Sequence, residues 1–222
     1  MALGNNEYFD NQETISRIAR ENLLNQRLQA QLHHIHDYSL EARDVFIRPG
    51  VTPADILSTN DLSKLPVTRK EDLIRLQQDQ PLFGGLVTVH PADVERVFIS
   101  PGPVYEIQPS EIKWFSRAFW AAGFRRGQTV INAFTYHLSP AGMLMHEGLR
   151  QCGVTVVVAG AGNSDIQLRA MTHLRVSGFI GTPSFLMQLI GKAEEAGHDF
   201  TRDYYVERAW FTGEPLAPSV RK

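Results

Sequence analysis

Short apolar, β-branched runs alternate with helix-length segments through the second half of this chain, and that alternation limits the folds open to it. Val97–Ile99, TVINAF from Thr129, VTVVVA from Val154, GFIG from Gly178 and VERAWF from Val206 read as strands. Between them lie segments with helical spacing and start or stop signals. Ile112, Phe115, Phe119 and Ala122 step along one helix face, and Gly123 stops that helix. Ser139-Pro140 opens a helix running to about Gln151, another follows from Ser164, and Thr182-Pro183 opens one that Gly197 ends. Strand, helix, strand at this spacing implies right-handed crossovers and a mostly parallel α/β sheet, with VTVVVA as a strand buried on both faces. Ligands of such sheets bind off the carboxyl ends of the strands. Here those ends are the loops at Ser100, Thr135, Gly160, Thr182 and Thr212.

The first part of the chain has a different pattern. From Glu13 to about Leu32, residues Ile15, Ile18, Leu24, Leu28 and Leu32 suggest one broad apolar helix face. HHIHDYS, with histidines 33, 34 and 36, then ends that helix or joins it to the next. Pro49-Gly50 reads as a loop, Thr52 as a cap before Pro53, and Thr68 with Glu71 as a capping box. The expected organisation is a helical section over residues 1–80 and an α/β nucleotide- and acyl-binding subdomain over 81–222, incomplete at its carboxyl end.

The bulk numbers exclude several classes of function. A formal net charge of −2 gives no electrostatic case for nucleic acid or an anionic membrane surface. Cys152 is the one cysteine, which excludes an internal disulfide framework and a multi-cysteine zinc site. The start, MALGNNEYFDNQET, has no apolar core or basic leader, and no apolar run reaches the roughly 20 residues of a membrane span, so a cytoplasmic location is expected.

Common site motifs fail on their particulars. Gly160 and Gly162 follow a strand, but Asp165 stands at the third glycine position, an anion where a pyrophosphate would dock. There is no Gly-x-x-x-x-Gly-Lys-Ser/Thr loop and no Gly-x-Ser-x-Gly elbow. The histidine cluster reads as solvated side chains at a helix end, His146 as a hydrogen-bonded core histidine and Cys152 as a packed thiol. No metal ligand is assigned.

Five segments, in order, resemble one family. LSKLPVTRKEDL, FTYHLSPAGMLMHEGLRQCGVTVV, AGAGNSDIQLRAM, GTPSFLMQL and RAWFTGEPLAPSVR are similar to stretches of the phenylacetate–CoA ligases, within the adenylate-forming (AMP-forming) synthetases. The resemblance covers nearly the whole chain. It implies that, in a full-length parent, ATP and Mg2+ activate an aromatic or small carboxylic acid to an acyl-adenylate, from which coenzyme A displaces AMP. By resemblance Gly213, Glu214 and Pro215 lie against adenine and the acyl group. Phe134 and Tyr136 line the acid pocket, where His137 replaces a family glycine. Ser100 and Gly102 match the family's phosphate loop.

That loop departs from its pattern. Ser100-Pro101-Gly102-Pro103 lacks the Thr-Thr-Gly-Lys core, each proline lacks a backbone N–H to offer a phosphate, and Glu106 adds a negative charge. The resemblance also implies a downstream Tyr-Gly-x-Thr-Glu motif and a mobile domain with a catalytic lysine. Neither is in the sequence, so no catalytic residue is assigned and the chain alone is expected to be inactive. The alternative reading is a degenerate relative that binds an aryl acid or nucleotide without turnover. A sheet ending at RAWF would expose Trp210 and Phe211, so a homo-oligomer is expected. After TGEPLAP the chain is expected to begin a further helix.

Overall fold

Ser16 opens the first helix by accepting a hydrogen bond from the Ala19 amide at 3.2 Å. This helix, α1 (Arg17–Tyr38), runs through the histidine cluster instead of ending before it. The computed structural model describes residues 7–46, 50–80, 82–108 and 115–221. The expected loop residue Pro49 and the expected helix residue Ile112 lie outside them. The chain divides into two compact units, residues 11–110 and residues 1–10 with 111–222.

The unit of residues 11–110 holds α1, α2 (Leu40–Phe46), α3 (Lys70–Asp79) and a hairpin of β1 (Arg96–Ser100) with β2 (Val104–Gln108). The face drawn for α1 is only partly buried: Leu32 is covered, whereas Ile18 and Leu24 are exposed. Thr52 does cap the turn at Pro53, through a reciprocal box with Asp55. The Thr68–Glu71 box does not form, because α3 begins one residue too late and Arg69 takes the cap position without a side-chain hydrogen bond.

β1 corrects a larger expectation. It pairs antiparallel with β2, Ser100 opposite Val104, and is no part of the parallel sheet. A run of three apolar residues cannot reveal its partner, because the choice between a hairpin and a crossover rests on the length of the connection to the next strand. Here the Pro101-Gly102-Pro103 connection is short enough only for a hairpin. Gln77 of α3 covers the hairpin's outer edge. Its amide accepts from Tyr105 N–H and donates to Tyr105 C=O, both at 2.8 Å, in place of a neighbouring strand.

The other unit is built on a four-stranded parallel sheet: β3 (Thr129–Asn132), β4 (Thr155–Val158), β5 (Gly178–Gly181) and β6 (Arg208–Phe211), in the order β4-β3-β5-β6. Four helices surround it: α4 (Ser116–Ala121), α5 (Ala141–Gln151), α6 (Ser164–His173) and α7 (Pro183–Glu195), with a short α8 (Phe200–Asp203). From β3 to β4 the chain moves one way across the sheet, and from β4 through β5 to β6 it moves the other way. Right-handed crossovers then put α5 on one face and α6 and α7 on the other. The side chains obey this with a period of two. Val130 and Ile180 join Phe119, Phe124, Met145 and Leu149 on the α5 face. Ile131 and Phe179 join Leu168, Met171 and Leu189 on the α6–α7 face.

VTVVVA is an edge strand, with Thr155 and Val158 exposed, and GFIG is the strand buried at every residue. Strand composition reports burial only through strand order, which sequence patterns do not contain. Residues 212–221 form turns and no helix. At the other end of the chain, Phe9 packs on Trp120 and Asp10 makes a bidentate pair with Arg117, so residues 7–10 belong with the sheet.

Phe119 is fully buried, with edge-on contacts to Phe124 and Trp210. Phe119→Ala is expected to lower unfolding stability by about 3–5 kcal/mol, read from urea denaturation, and an unchanged midpoint would contradict this packing account.

Candidate functional site

The order β4-β3-β5-β6 places a topological switch between β3 and β5. The segment leaving β3 turns to one face and the segment leaving β5 turns to the other, and in such sheets ligands bind above the carboxyl ends at this point. Three connections rise there: residues 133–140 after β3, Thr182 after β5, and Thr212 with Gly213 after β6.

Asn132 sets the shape of the first connection. It ends β3, is fully buried, and uses every part of its amide. Its Oδ1 accepts from Phe134 N–H at 3.1 Å. Its Nδ2 donates to Gly142 C=O at 2.9 Å and to the Tyr136 hydroxyl at 2.8 Å. Its backbone carbonyl accepts from Gly160 N–H at 3.0 Å, which ties on the connection after β4. Gln167 secures that connection from α6 by donating to the carbonyls of Gly160 and Gly162 at 2.9 and 2.7 Å. Gly142 must be glycine, because a Cβ there would stand 2.4 Å from Thr135 O. Gly142 N–H instead donates to Thr135 C=O at 3.0 Å, which holds the first turn of α5 against the loop.

The expected acid-pocket residues separate within this loop. Phe134 packs against the core cluster on the α5 face. Tyr136 is half-buried, its ring edge-on to His146 and its hydroxyl 3.4 Å from His146 Nδ1. Burial pushes the Tyr136 phenol up to about 12, against the opposing effect of the Asn132 amide. His137 is exposed.

Glu214 reaches the N-terminus of α7, where Thr182 is the cap and accepts from Phe185 N–H at 3.3 Å. The Glu214 carboxylate accepts from Ser184 N–H at 2.6 Å. The Ser184 hydroxyl, the Ser184 amide and then the Thr182 hydroxyl hold this carboxyl below its ordinary value. The carboxylate thus occupies the place of an anion on a helix start, and Gly213 and Pro215 flank it in the exposed turn.

Ser100 and Gly102 lie in the hairpin turn of the other compact unit. Ser100 is buried, and Lys70, the first residue of α3, donates to its hydroxyl from Nζ at 3.2 Å. A Cβ on Gly102 would stand 2.9 Å from Lys70 Cε, so glycine lets the lysine lie across the turn. Glu106 pairs with Phe98 and is not in the turn. Lys70 and Asn132 are not picked out from the sequence, whereas Thr182 and Ser184 stand in a segment that is. Lys70 could have been noticed, since it stands in LSKLPVTRKEDL, but its distance of 30 positions from Ser100 hides the contact.

Cys152 is buried and donates to Ser116 C=O at 3.3 Å. Burial pushes its thiol up to about 11, which makes it a packing residue. Among the described residues no group of three His, Cys, Asp or Glu side chains is placed to hold a metal ion, and no helix is long and apolar enough to cross a membrane.

Because the Glu214 carboxyl is held below 4.5, its contribution to stability is complete above that pH and is lost as pH falls through the lowered value. Glu214→Gln is expected to remove that part of the acid sensitivity. The melting temperature of the native protein should fall more steeply below pH 4.5 than that of the variant, and parallel profiles would contradict the Ser184 contact.

No protein-family model matches the chain. It is 28% identical to phenylacetate-coenzyme A ligase of Pseudomonas putida over 96% of its own length and 49% of that protein, and 28% identical to that of Thermus thermophilus over 95% and 48%. With the Escherichia coli enzyme of the same name the identity is 26% over 98% of this chain and 51% of the other. Among solved structures, a 2-hydroxyisobutyryl-CoA ligase in complex with 2-HIB-AMP and CoA matches with a TM-score of 0.88 at 23% identity. That match covers all of this chain and 50% of the ligase. The chain spans about half the length of the curated relatives it matches. Along nearly its whole length the chain is similar to phenylacetate–CoA ligases, and its fold matches half of a CoA ligase.

Proposed function

We propose that this chain forms part of an ATP-dependent acyl-CoA ligase that activates an aromatic or other small carboxylic acid to an acyl-adenylate and passes it to coenzyme A. The observation that carries this reading is the assembly at the carboxyl ends of β3, β5 and β6. Tyr136, the Thr182–Ser184 helix start and the Gly213-Glu214-Pro215 turn are three of the segments that resemble the ligases, and they rise from neighbouring strands.

In this reading Tyr136 and His137 meet the acid, with Phe134 as a rigid backing from the core. Gly213, Glu214 and Pro215 meet the adenylate. Glu214 acts by fixing the turn on α7, since its carboxylate is already engaged. Ser100 and Gly102 meet the phosphates of ATP. Their turn lacks donors, since Pro101 and Pro103 have no N–H, and Lys70 brings the missing cation to it from α3. ATP fits the residues present in this limited sense. Magnesium is assigned no ligand here, and coenzyme A no residue. We assign a reducing, cytoplasmic setting, no nucleic-acid partner, no membrane partner, and self-association through the outer edge of β6, which has no partner strand among the described residues.

One observation favours a second reading. Two prolines in a three-residue turn leave little backbone for a triphosphate, which suits a degenerate relative that binds the acid or the nucleotide without turnover.

Calorimetric titration with ATP and with phenylacetate, beside pyrophosphate release, separates the two. The ligase reading expects both ligands to bind, and expects Lys70→Ala to weaken ATP by about tenfold or more with phenylacetate unchanged. Binding of phenylacetate without ATP would favour the second reading. For the β6 edge, sedimentation is expected to show mass rising with concentration, and a single monomeric species at all concentrations would refute the assignment.

A further inference from the structure

The amide of Asn132 cannot be turned over. One end faces a backbone carbonyl, Gly142 C=O at 2.9 Å, which can only accept. The other faces a backbone amide, Phe134 N–H at 3.1 Å, which can only donate. These two contacts fix Nδ2 as the atom that faces the Tyr136 hydroxyl at 2.8 Å, so the hydroxyl is the acceptor in that bond. A phenol has one proton, and it must be directed elsewhere. Among the described residues its partner is His146 Nδ1 at 3.4 Å, at the outer limit for such a bond. The result is a hydrogen-bond chain of fixed direction, from Phe134 N–H through Asn132 to Tyr136, whose last donor is poorly matched. Burial keeps that hydroxyl protonated across the physiological range.

We propose that the Tyr136 hydroxyl is a specificity-determining donor, and that the acid taken at this site carries a hydrogen-bond acceptor oxygen on its ring or side chain, apart from the carboxylate. The inference rests on the assignment of Tyr136 to the acid pocket. A purely hydrocarbon acid would leave the donor on its long contact to His146. An acid with an ether, keto or hydroxyl oxygen in reach would shorten that bond to ordinary length, because the Asn132 donation already polarises the hydroxyl toward giving its proton. Sites built around a substrate oxygen discriminate against analogues that lack it, since the buried donor is then left without a good partner. Asn132 acts here as a positioning residue, setting which way the Tyr136 hydroxyl points.

The test compares acids matched in shape. Methoxy- and ethyl-phenylacetates, substituted in turn at each ring position, are titrated calorimetrically into the whole chain and into Tyr136→Phe. At one ring position the methoxy acid is expected to bind about tenfold more tightly than its ethyl counterpart, and Tyr136→Phe should remove that difference between the two acids. Nitrogen NMR of His146 supplies a second readout that does not depend on the variant. The methoxy acid should shift its Nδ1 resonance as the tyrosine proton leaves it, and the ethyl acid should not. Equal affinities at every position, or a preference that survives Tyr136→Phe, would overturn the inference while leaving the acid pocket intact. If none of these acids, phenylacetate included, binds at all, both the pocket assignment and this inference fail.

Discussion

Everything at the candidate site hangs from β3, and β3 ends in a buried amide that has no freedom. Val130 and Ile131 are fully buried on opposite faces of the sheet, which fixes the height and twist of the strand. Asn132 then converts that rigidity into the shape of a loop. Its side chain binds the loop at Phe134, the hydroxyl of Tyr136 and the first turn of α5, while its carbonyl binds the connection after β4. A polar side chain this deep costs folding energy unless fully satisfied, and it is. The cost is offset by four connections to one point, which tie the loop after β3 to α5 and to the connection after β4.

The second anchor is electrostatic. The helix start of α7 presents unpaired amides and the positive end of a dipole, a place where an anion settles without further help. In this chain the anion is internal. Glu214 closes on Ser184 and so clips the turn after β6 to the helix after β5. The same glutamate that is proposed to lie by the adenylate pins this turn, with Gly213 and Pro215 exposed beside it.

The hairpin of β1 and β2 has a cation brought to a turn whose own residues carry none. Its turn lacks the donors of a phosphate loop, yet a buried hydroxyl and a lysine stand together there. The lysine comes from another element, and Gly102 is the residue that leaves room for its stem. Loop sequence alone would count the cation as missing, whereas packing supplies it.

Much of the architecture is legible in the sequence. Helix stops at Gly123 and Gly197, the Thr182-Pro183 start and the alternation of strands with helices come from local stereochemistry, which acts over a few residues and is therefore written in them. The likeness of separated segments to the CoA ligases is legible for the same reason. Partnership is what the sequence left open. It could not say that Val97–Ile99 pairs in a hairpin, that VTVVVA lies at an edge while GFIG sits inside, or that Phe134 turns to the core while Tyr136 meets Asn132. Those outcomes depend on contacts between residues far apart in the chain, decided by strand order and by the filling of two cores, and only the tertiary structure carries them.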